Sequence, residues 1–467
     1  MFDLKITNAR VSTAADTFDT DIGIKDGTIT ALGTALGEAA ETIDAAGRDV
    51  LPGGIDSHVH ISQPSGEGIE MADDFASGTL SAIHGGNTTI MPFCMQERGE
   101  SLRQALTDYE AKAEGELHCD VAFHLIISDP TRQVLGQELP AAVADGYTSF
   151  KVFMTYEMLR LNDAEILATM DVAQRTGALM MVHCENEDAI RFLCEKFAAD
   201  SRLEPVSHAL TRPVVAEREA THRAISLAEV VDVPVVIVHV SNGAAMREIE
   251  RARSRGRRVV AETCTQYITL TEADLEGMDW EGAKFVCSPP PRDASEHKNI
   301  WSGIERGSFD LFSSDHCPFR YADERGKLNP KGRADFRAIP NGIPGVECRL
   351  PILFTEGVLT GRITINEFVA LTATNHAKTY GLHPKKGTIA IGSDADLVIW
   401  ERGARVIAHD DLHDGSDYSP YEGRRVGAWP GTVILRGRVM VADGVLQGEK
   451  GSGTTLKREC SPLTRAV

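Results

Sequence analysis

The residues most able to carry out chemistry are four histidines that lie at the ends of short apolar runs. His58 and His60 end one run, while His183 and His239 each end another. Residues i and i+2 of a strand point to the same side, so His58 and His60 face one point. Neutral imidazole is the commonest metal ligand, and three or more converging imidazoles suit zinc. One such histidine is more often a hydrogen-bonded core residue, but four at strand ends predict a metal site.

An aspartate at the end of a further apolar run extends this pattern. Asp315 lies in SSDHCPF, where a carboxylate can bind metal and accept a proton from a metal-bound water. The alternative is a helix N-cap, a common role for aspartate. Together with the histidines, the residue is predicted to be catalytic.

Lys151 lies inside the apolar run SFKVFMT. Burying an unpaired ammonium is costly, and desolvation favours the neutral amine. A neutral amine can take up carbon dioxide and become a carbamate, which could bridge two cations about 3.5–4 Å apart. The alternative is a lysine that extends to solvent or forms an ion pair.

The segments that must position these residues alternate between apolar runs and amphipathic stretches. The runs are 50–60, 87–93, 119–129, 147–155, 178–186, 234–242, 258–268 and 309–319, and helix candidates include 101–114, 163–176, 214–231 and 244–255. This alternation indicates a parallel sheet covered by helices. Eight runs favour an α/β fold of the closed (β/α)₈ TIM-like barrel type, whose catalytic groups gather at the C-terminal strand ends. A doubly wound sheet is the alternative, but the expected G-x-G-x-x-G turn is absent from the sequence.

Both ends of the chain have a β texture. Residues 1–51 alternate between apolar and polar positions with Gly/Asp turns, and 385–448 behave similarly. We expect them to form one small β-sandwich domain beside a barrel of residues 52–384. The polar loop 321–347 should lie over the catalytic face. Residues 449–467 are predicted to be a tail that is either loose or laid on a neighbouring subunit.

Composition narrows the class of protein. The 467 residues are 42% hydrophobic and 25% charged, with a formal net charge of −20. Such acidity argues against a nucleic-acid or anionic-membrane partner. No apolar run approaches the roughly 20 residues of a membrane span, and the N-terminus lacks the pattern of a signal peptide. Nine scattered cysteines without C-x-x-C predict a reducing, cytoplasmic location.

Several motifs together resemble those of the amidohydrolase superfamily, and more closely the D-hydantoinase/dihydropyrimidinase family of cyclic amidohydrolases. LPGGIDSHVH and GTIAIGSDADLVIW are similar to signatures of the superfamily. YTSFKVFMTY, MMVHCEN, VHVSN, VCSPPPR, SSDHCPF and AIPNGIPGVE resemble the hydantoinase branch. The resemblance covers about residues 3–448.

The resemblance implies a role for each candidate residue. His58, His60 and Asp315 would bind one Zn²⁺ ion and His183 and His239 a second, with carboxylated Lys151 and a hydroxide bridging the pair. Tyr156 resembles the tyrosine that donates to the developing oxyanion. Ser288 and Asn341 correspond to positions whose backbone holds the cyclic amide. Homotetramers or homodimers are also implied.

The implied reaction is hydrolytic ring opening of 5-substituted hydantoins or dihydropyrimidines to N-carbamoyl amino acids. An allantoinase or cyclic-imide hydrolase is the alternative enzyme, and a non-catalytic scaffold is the alternative outside enzymes. In dihydroorotases and allantoinases, a polar or arginine residue just after the H-x-H motif recognises an acidic or ureido substituent. No arginine lies near His58-x-His60 here, which disfavours dihydroorotate as the substrate. The first substrate loop, 62–74, is polar and Gly-rich, whereas Phe153, Met158 and Leu159 could supply apolar contacts.

Other polar residues lack an assigned role in the sequence. Lys385 and Lys386 are interpreted as a solvated turn. No partner is predicted for a further group of histidines, namely His84, His118, His124, His208 and His222.

Overall fold

The computed structural model describes residues 1–465, and the strands within that range form two sheets. The strands are β1 (Phe2–Ser12), β2 (Thr17–Lys25), β3 (Thr28–Gly33), β4 (Ala39–Asp44), β5 (Asp49–Pro52), β6 (Gly54–Val59), β7 (Asn87–Met95), β8 (Asp120–Val121), β9 (His124–Ile126), β10 (Ser149–Phe153), β11 (Leu179–His183), β12 (Val235–Ile237), β13 (Val259–Cys264), β14 (Leu311–Ser313), β15 (Leu397–Val406), β16 (Arg425–Leu435), β17 (Arg438–Ala442) and β18 (Val445–Leu446). The α-helices are α1 (Phe75–His84), α2 (Leu102–Ala113), α3 (Leu139–Ala144), α4 (Asp163–Thr176), α5 (Glu187–Ala199), α6 (Val206–Leu210), α7 (Val214–Val231), α8 (Gly243–Ser254), α9 (Ser295–Glu305), α10 (Arg349–Leu353), α11 (Ile365–Val369) and α12 (Asn375–Thr379).

The middle of the chain forms the predicted barrel. Strands β6 to β14 are parallel, and a bridge between Val59 and His316 brings the first and last strands together. All eight predicted runs supply barrel strands, although the third run divides into β8 and β9. The (β/α)₈ prediction is therefore confirmed.

The helices between the strands follow the amphipathic pattern of the sequence. Helix α4 begins after Asn162, whose side chain forms a capping box with Glu165, and ends at Gly177 in the left-handed conformation. Its buried face, which includes Ile166 and Met170, joins the main hydrophobic core. Caps and periodicity together fix where this helix begins and ends.

Both chain ends build the second sheet, as predicted. It contains β1–β5 and β15–β18, and the pairing of β5 with β15 joins the two ends of the chain. Ile6, Val11, Ile22 and Leu397 lie in its core. The exact residue boundaries of the barrel and the β domain remain predictions.

The C-terminal segment packs on the barrel of its own chain. Leu456 donates its N–H to the Val121 carbonyl, and the Arg458 guanidinium donates to the Phe123 carbonyl at 2.6 Å and to Ser149 Oγ at 2.8 Å. The alternative of a loose tail is wrong for the described part, because a buried arginine finds its acceptors within the same chain, whereas contact of the tail with a neighbouring subunit stays a prediction. Residues 466–467 lie outside the described range. None of the helices in residues 1–465 has the length and apolar character that crossing a membrane requires.

Candidate metal centre and active site

Three of the predicted metal ligands form one compact group at the C-terminal end of the barrel. His58 lies in β6, His60 follows it, and Asp315 comes two residues after β14. Asp315 Oδ1 lies 3.2 Å from His58 Nε2 and 3.5 Å from His60 Nε2. The ligand atoms all lie within 4.8 Å of one another, so one ion could contact all three.

The other two histidines lie against this group. The ring centroids of His183 and His239 are 4.4 Å apart, and those of His239 and His58 are 5.3 Å apart. Burial lowers the pKa values of His58, His183 and His239. All three are therefore neutral near pH 7, which is the form that binds metal.

Lys151 lies between the two groups, in the middle of β10. It is fully buried, and its Nζ lies 3.4 Å from His58 Nε2 and about 5 Å from the rings of Phe93 and Phe153. Among the described residues it forms no ion pair. Burial lowers its pKa to about 8. An amine in this setting is easily deprotonated, as carbamate formation requires.

The donor set fits a dinuclear metal centre. Four imidazoles and one carboxylate surround a lysine that forms no ion pair within residues 1–465, and in the same range the buried Nδ1 of His239 has no hydrogen-bond partner. Nitrogen and oxygen donors of this kind suit zinc and similar divalent ions.

Three polar side chains that the sequence analysis did not single out orient these histidines. Glu262 Oε1 lies 2.6 Å from His58 Nδ1, and Glu185 Oε2 lies 2.8 Å from His183 Nε2. Gln63 Oε1 lies 2.9 Å from His60 Nδ1. Glu262 and Glu185 are buried, and each is a charged residue within or directly after an apolar run. The signal that identified Lys151 could have found them too.

Tyr156 lies beside the metal centre, with its ring centroid 5.3 Å from that of His183. Its φ of 71° is unusual for a residue with a side chain, as are the φ values of His239 and Asp315. The Glu187 carboxylate holds the turn by accepting from the Tyr156 N–H at 3.1 Å and from Thr155 Oγ1 at 2.6 Å. Burial raises the pKa of Tyr156, so the phenol keeps its proton and can donate it in a hydrogen bond.

Ser288 and Asn341 lie on two segments that are hydrogen-bonded to each other. Gly342 donates its N–H to the Val286 carbonyl at 3.0 Å. The ammonium of Lys327, another residue that the sequence analysis missed, donates to the carbonyls of Val286 at 2.8 Å and Pro340 at 3.1 Å. Lys327 is fully buried, and its two hydrogen bonds connect the segments that carry Ser288 and Asn341.

A cavity of about 860 Å³ opens above the metal centre. All the candidate residues face it, together with segments of loops 62–74 and 321–347. Its apolar lining includes Ile69, Met71, Met95, Phe153, Met158, Leu159, Phe319 and Ile339. Charged residues at the cavity are Glu67, Glu97, Arg98, Glu157 and Arg337. The volume suits a small cyclic molecule that carries a substituent.

The barrel, the histidine–aspartate–lysine constellation and the adjoining tyrosine define a metal-dependent hydrolase. The model of the amidohydrolase family matches residues 50–440. The chain is 48% identical to the D-hydantoinase of Ralstonia pickettii, over 98% of this chain and 99% of that one.

Comparison with solved structures indicates the same family as the sequence comparison. A D-hydantoinase structure superposes with a TM-score of 0.95 at 47% identity, covering 98% of this chain and 99% of the other. A dihydropyrimidinase from Brevibacillus agri gives a TM-score of 0.95 at 41% identity with the same coverage. The chain belongs to the amidohydrolase family, in its D-hydantoinase/dihydropyrimidinase branch.

The protein is therefore an enzyme, a cyclic amidohydrolase that acts on small cyclic amides. The family implies a dinuclear metal centre, which the geometry of the predicted ligands accommodates. The allantoinase, cyclic-imide hydrolase and scaffold alternatives are not favoured by these relatives.

Proposed function

We propose that this enzyme opens 5-substituted hydantoins and dihydropyrimidines to N-carbamoyl amino acids at a di-zinc centre bridged by carboxylated Lys151. His58, His60 and Asp315 would hold one ion, and His183 and His239 the other. The observation that carries the proposal is Lys151, which is fully buried beside His58 without an ion-pair partner among the described residues. Carboxylation turns this unfavourable group into an anionic bridging ligand.

Bound there, two metal ions would lower the pKa of a water molecule and polarise the ring carbonyl. The protein's own residues complete the reaction. Asp315 takes the proton of the attacking water and passes it to the leaving ring nitrogen. The protonated Tyr156 hydroxyl donates to the carbonyl oxygen as negative charge develops on it. Backbone groups at Ser288 and Asn341 hold the cyclic amide in place.

The cavity lining supports a ring with a substituent. Phe153, Met158 and Leu159 offer an apolar surface, whereas Glu67 and Arg98 place charge at the same cavity. The location is proposed to be cytoplasmic, and the assembly a homotetramer or homodimer. Light scattering at micromolar concentration tests the assembly, and a monomeric mass would contradict it.

Ring opening followed by ultraviolet absorbance tests the substrate. The zinc- and bicarbonate-reconstituted enzyme is assayed with dihydrouracil, hydantoin, 5-phenylhydantoin, allantoin, succinimide and dihydroorotate. Turnover of dihydrouracil or a hydantoin is expected. Turnover of allantoin or succinimide alone would overturn the proposed substrate and leave the cyclic-amide chemistry intact.

A Lys151→Ala variant tests the bridge. We expect it to hold fewer than two metal ions per subunit and to lose ring-opening activity, because the bridging anion is gone. Metal content is measured by mass spectrometry, with Lys385→Ala as the matched control at an exposed lysine. Two retained ions and full activity in Lys151→Ala would exclude the bridging role.

A further inference from the structure

The loop of residues 154–160, here called the Tyr156 loop, is closed on itself. The Tyr156 carbonyl accepts from the N–H of Arg160 at 2.7 Å. Directly after the loop, Leu161 donates its N–H to the carbonyl of Phe153, the last residue of β10, at 3.0 Å. Because the loop is this compact, the place of the Tyr156 ring depends on how the whole loop is held.

The backbone at Tyr156 has a conformation that a side chain disfavours. Its φ of 71° lies in the left-handed region, which few residues other than glycine adopt. Such a conformation persists only where the surrounding contacts enforce it. The ring lies at the cavity and packs against His183. A contact that enforces this backbone conformation therefore also determines where the phenol points.

The first turn of helix α5 supplies such a contact. Glu187 Oε2 accepts from the Tyr156 N–H at 3.1 Å and from Thr155 Oγ1 at 2.6 Å. Hydrogen bonds to a carboxylate are roughly twice as strong as those between neutral groups. A negative charge in the first turn of a helix also interacts favourably with the helix dipole. Glu187 thus joins the Tyr156 loop to α5.

The start of α5 is itself fixed to the neighbouring helix α7. Asn186 is the N-cap residue, and its side chain accepts from the Ala189 N–H at 3.0 Å. Its own N–H donates to the Ala216 carbonyl at 3.2 Å, and its amide group donates to Glu219 Oε2 at 2.5 Å. Glu187 therefore extends from a helix end that is held in place, which makes it a precise support.

The other end of the Tyr156 loop is held by a weaker contact. The Asp188 carboxylate accepts from Arg160 Nη1 at 3.1 Å and from Nη2 at 3.0 Å. The Asp188 side chain is 63% exposed, and exposed ion pairs contribute little because water screens them. Glu187 is less exposed and contacts Tyr156 itself, so it has the larger influence on the tyrosine.

We propose that Glu187 is a positioning residue for the reaction, which fixes the Tyr156 loop so that the phenol reaches the carbonyl oxygen as charge develops on it. The inference rests on the oxyanion role proposed for Tyr156. Glu187 is not part of the cavity lining, so it acts through the tyrosine and not on the substrate. A displacement of about 1 Å from the productive geometry can lower a rate about 10²-fold.

A double-mutant cycle tests the proposal. Glu187→Ala, Tyr156→Phe and the double variant are compared with wild type in the ring opening of whichever cyclic amide the wild type opens fastest. Metal content and melting temperature are recorded for each protein. Glu187→Gln keeps an oxygen that can accept the same hydrogen bonds, and Glu195→Ala, at an exposed glutamate of α5, is the matched control.

We expect Glu187→Ala to lower kcat about 10–100-fold and Tyr156→Phe to lower it about 10²–10³-fold, both with the metal content of wild type. In the Tyr156→Phe background, Glu187→Ala should cause no further loss, because no hydroxyl remains to be positioned. Glu187→Gln should keep most of the wild-type kcat, and Glu195→Ala all of it.

Three outcomes would overturn the proposal. An unchanged kcat in Glu187→Ala would do so while a reduced kcat in Tyr156→Phe left the proposed function intact. Equal losses from Glu187→Ala in both backgrounds would show a general loosening of the fold and no action through the tyrosine. An unchanged kcat in Tyr156→Phe would remove the oxyanion role itself, and the positioning role with it.

Discussion

At the scale of single residues, Glu262 contacts two of the predicted metal ligands. It lies in β13, and its Oε1 contacts both His58 Nδ1 at 2.6 Å and the N–H of His239 at 3.0 Å. Its Oε2 accepts from Ser313 Oγ at 3.0 Å. A carboxylate that accepts from a ligating imidazole fixes the tautomer and the orientation of the ring.

Replacing Glu262 with glutamine should therefore weaken metal binding while leaving the fold in place. We expect roughly 10–100-fold lower metal affinity, the usual effect of removing such a partner. Competition with a chelator measures the affinity. Glu248→Gln is the control, since Glu248 pairs with His222 at the surface. Equal metal retention by both variants would mean that Glu262 has no orienting role.

Tyr156 should act on the rate and not on metal binding. Replacing it with phenylalanine removes one donor to the developing oxyanion, and the loss of one such donor lowers kcat by about 10²–10³-fold. Steady-state ring opening together with metal analysis checks this, with two ions per subunit retained. Unchanged kcat in Tyr156→Phe would show that the phenol does not stabilise the oxyanion.

The sequence could identify candidate metal ligands, but not which histidine each buried carboxylate orients. His58 and His60 were predictable because their i, i+2 spacing in a strand directs both to one point. Lys151 was predictable because an unpaired ammonium in an apolar strand needs an explanation. Glu262 and Glu185 are also charged residues in apolar runs. The partners of Glu262 come from other parts of the barrel, and Glu185 reaches His183 only through the turn after β11. Only the closed barrel shows which histidine each carboxylate meets.

At the scale of elements, the long loop 321–347 supplies one wall of the cavity. The loop is anchored from within by Lys327, whose ammonium donates to the carbonyls of Val286 and Pro340. These carbonyls belong to the segments that carry Ser288 and Asn341. We therefore assign Lys327 a positioning role for the substrate-binding backbone.

Replacing Lys327 with methionine should raise KM more than it lowers kcat. The loss of these hydrogen bonds is expected to raise KM roughly tenfold, equivalent to about 1.4 kcal/mol. Lys331→Met, at an exposed lysine of the same loop, is the control. An unchanged KM in Lys327→Met would contradict the positioning role.

The same variant should change how stability depends on pH. Burial lowers the pKa of Lys327 to about 7 from an ordinary value of 10.5. Between these values the unfolded chain binds a proton that the folded protein has released, so this residue makes folding more favourable as pH rises. Below pH 7 the folded protein bears the full free-energy cost of burying the charged Lys327 ammonium. The melting temperature of Lys327→Met minus that of wild type should therefore be larger at pH 7 than at pH 9. Calorimetry of both proteins at the two pH values measures this difference.

Elements were predictable to different degrees. Helices α4 and α7 have the bounds of the predicted segments 163–176 and 214–231, because an amphipathic period ends at a clear cap in each. Most barrel strands are shorter than the apolar runs, although β7 (Asn87–Met95) extends beyond its run 87–93. The run 234–242 contains only Val235–Ile237 as a strand. Its later residues leave the sheet to position His239, and an apolar pattern cannot distinguish a strand from a buried turn.

At the scale of the whole molecule, a buried ionic cluster joins the barrel to the terminal sheet. The Lys386 ammonium lies 2.6 Å from carboxylate oxygens of Asp120 and Asp396 and 2.9 Å from Asp394. Arg436, in the turn between β16 and β17, also pairs with Asp120. The interpretation of Lys385 and Lys386 as a solvated turn is wrong for Lys386, which is 2% exposed. Its partner Asp120 is distant in sequence, as is Arg436, which pairs with the same aspartate, so no local pattern could reveal the cluster.

Removing the Lys386 ammonium should destabilise the whole molecule. A Lys386→Met variant leaves Asp120, Asp394 and Asp396 buried with too little positive charge, and breaking a buried ion pair from one side costs about 3–5 kcal/mol. Lys385→Met is the matched control, because the adjacent lysine is exposed and its loss leaves the cluster intact. Differential scanning calorimetry of both variants, each with the metal centre filled, should show a lower melting temperature for Lys386→Met alone. Equal melting temperatures would mean that apolar packing, and not this cluster, holds the terminal sheet to the barrel.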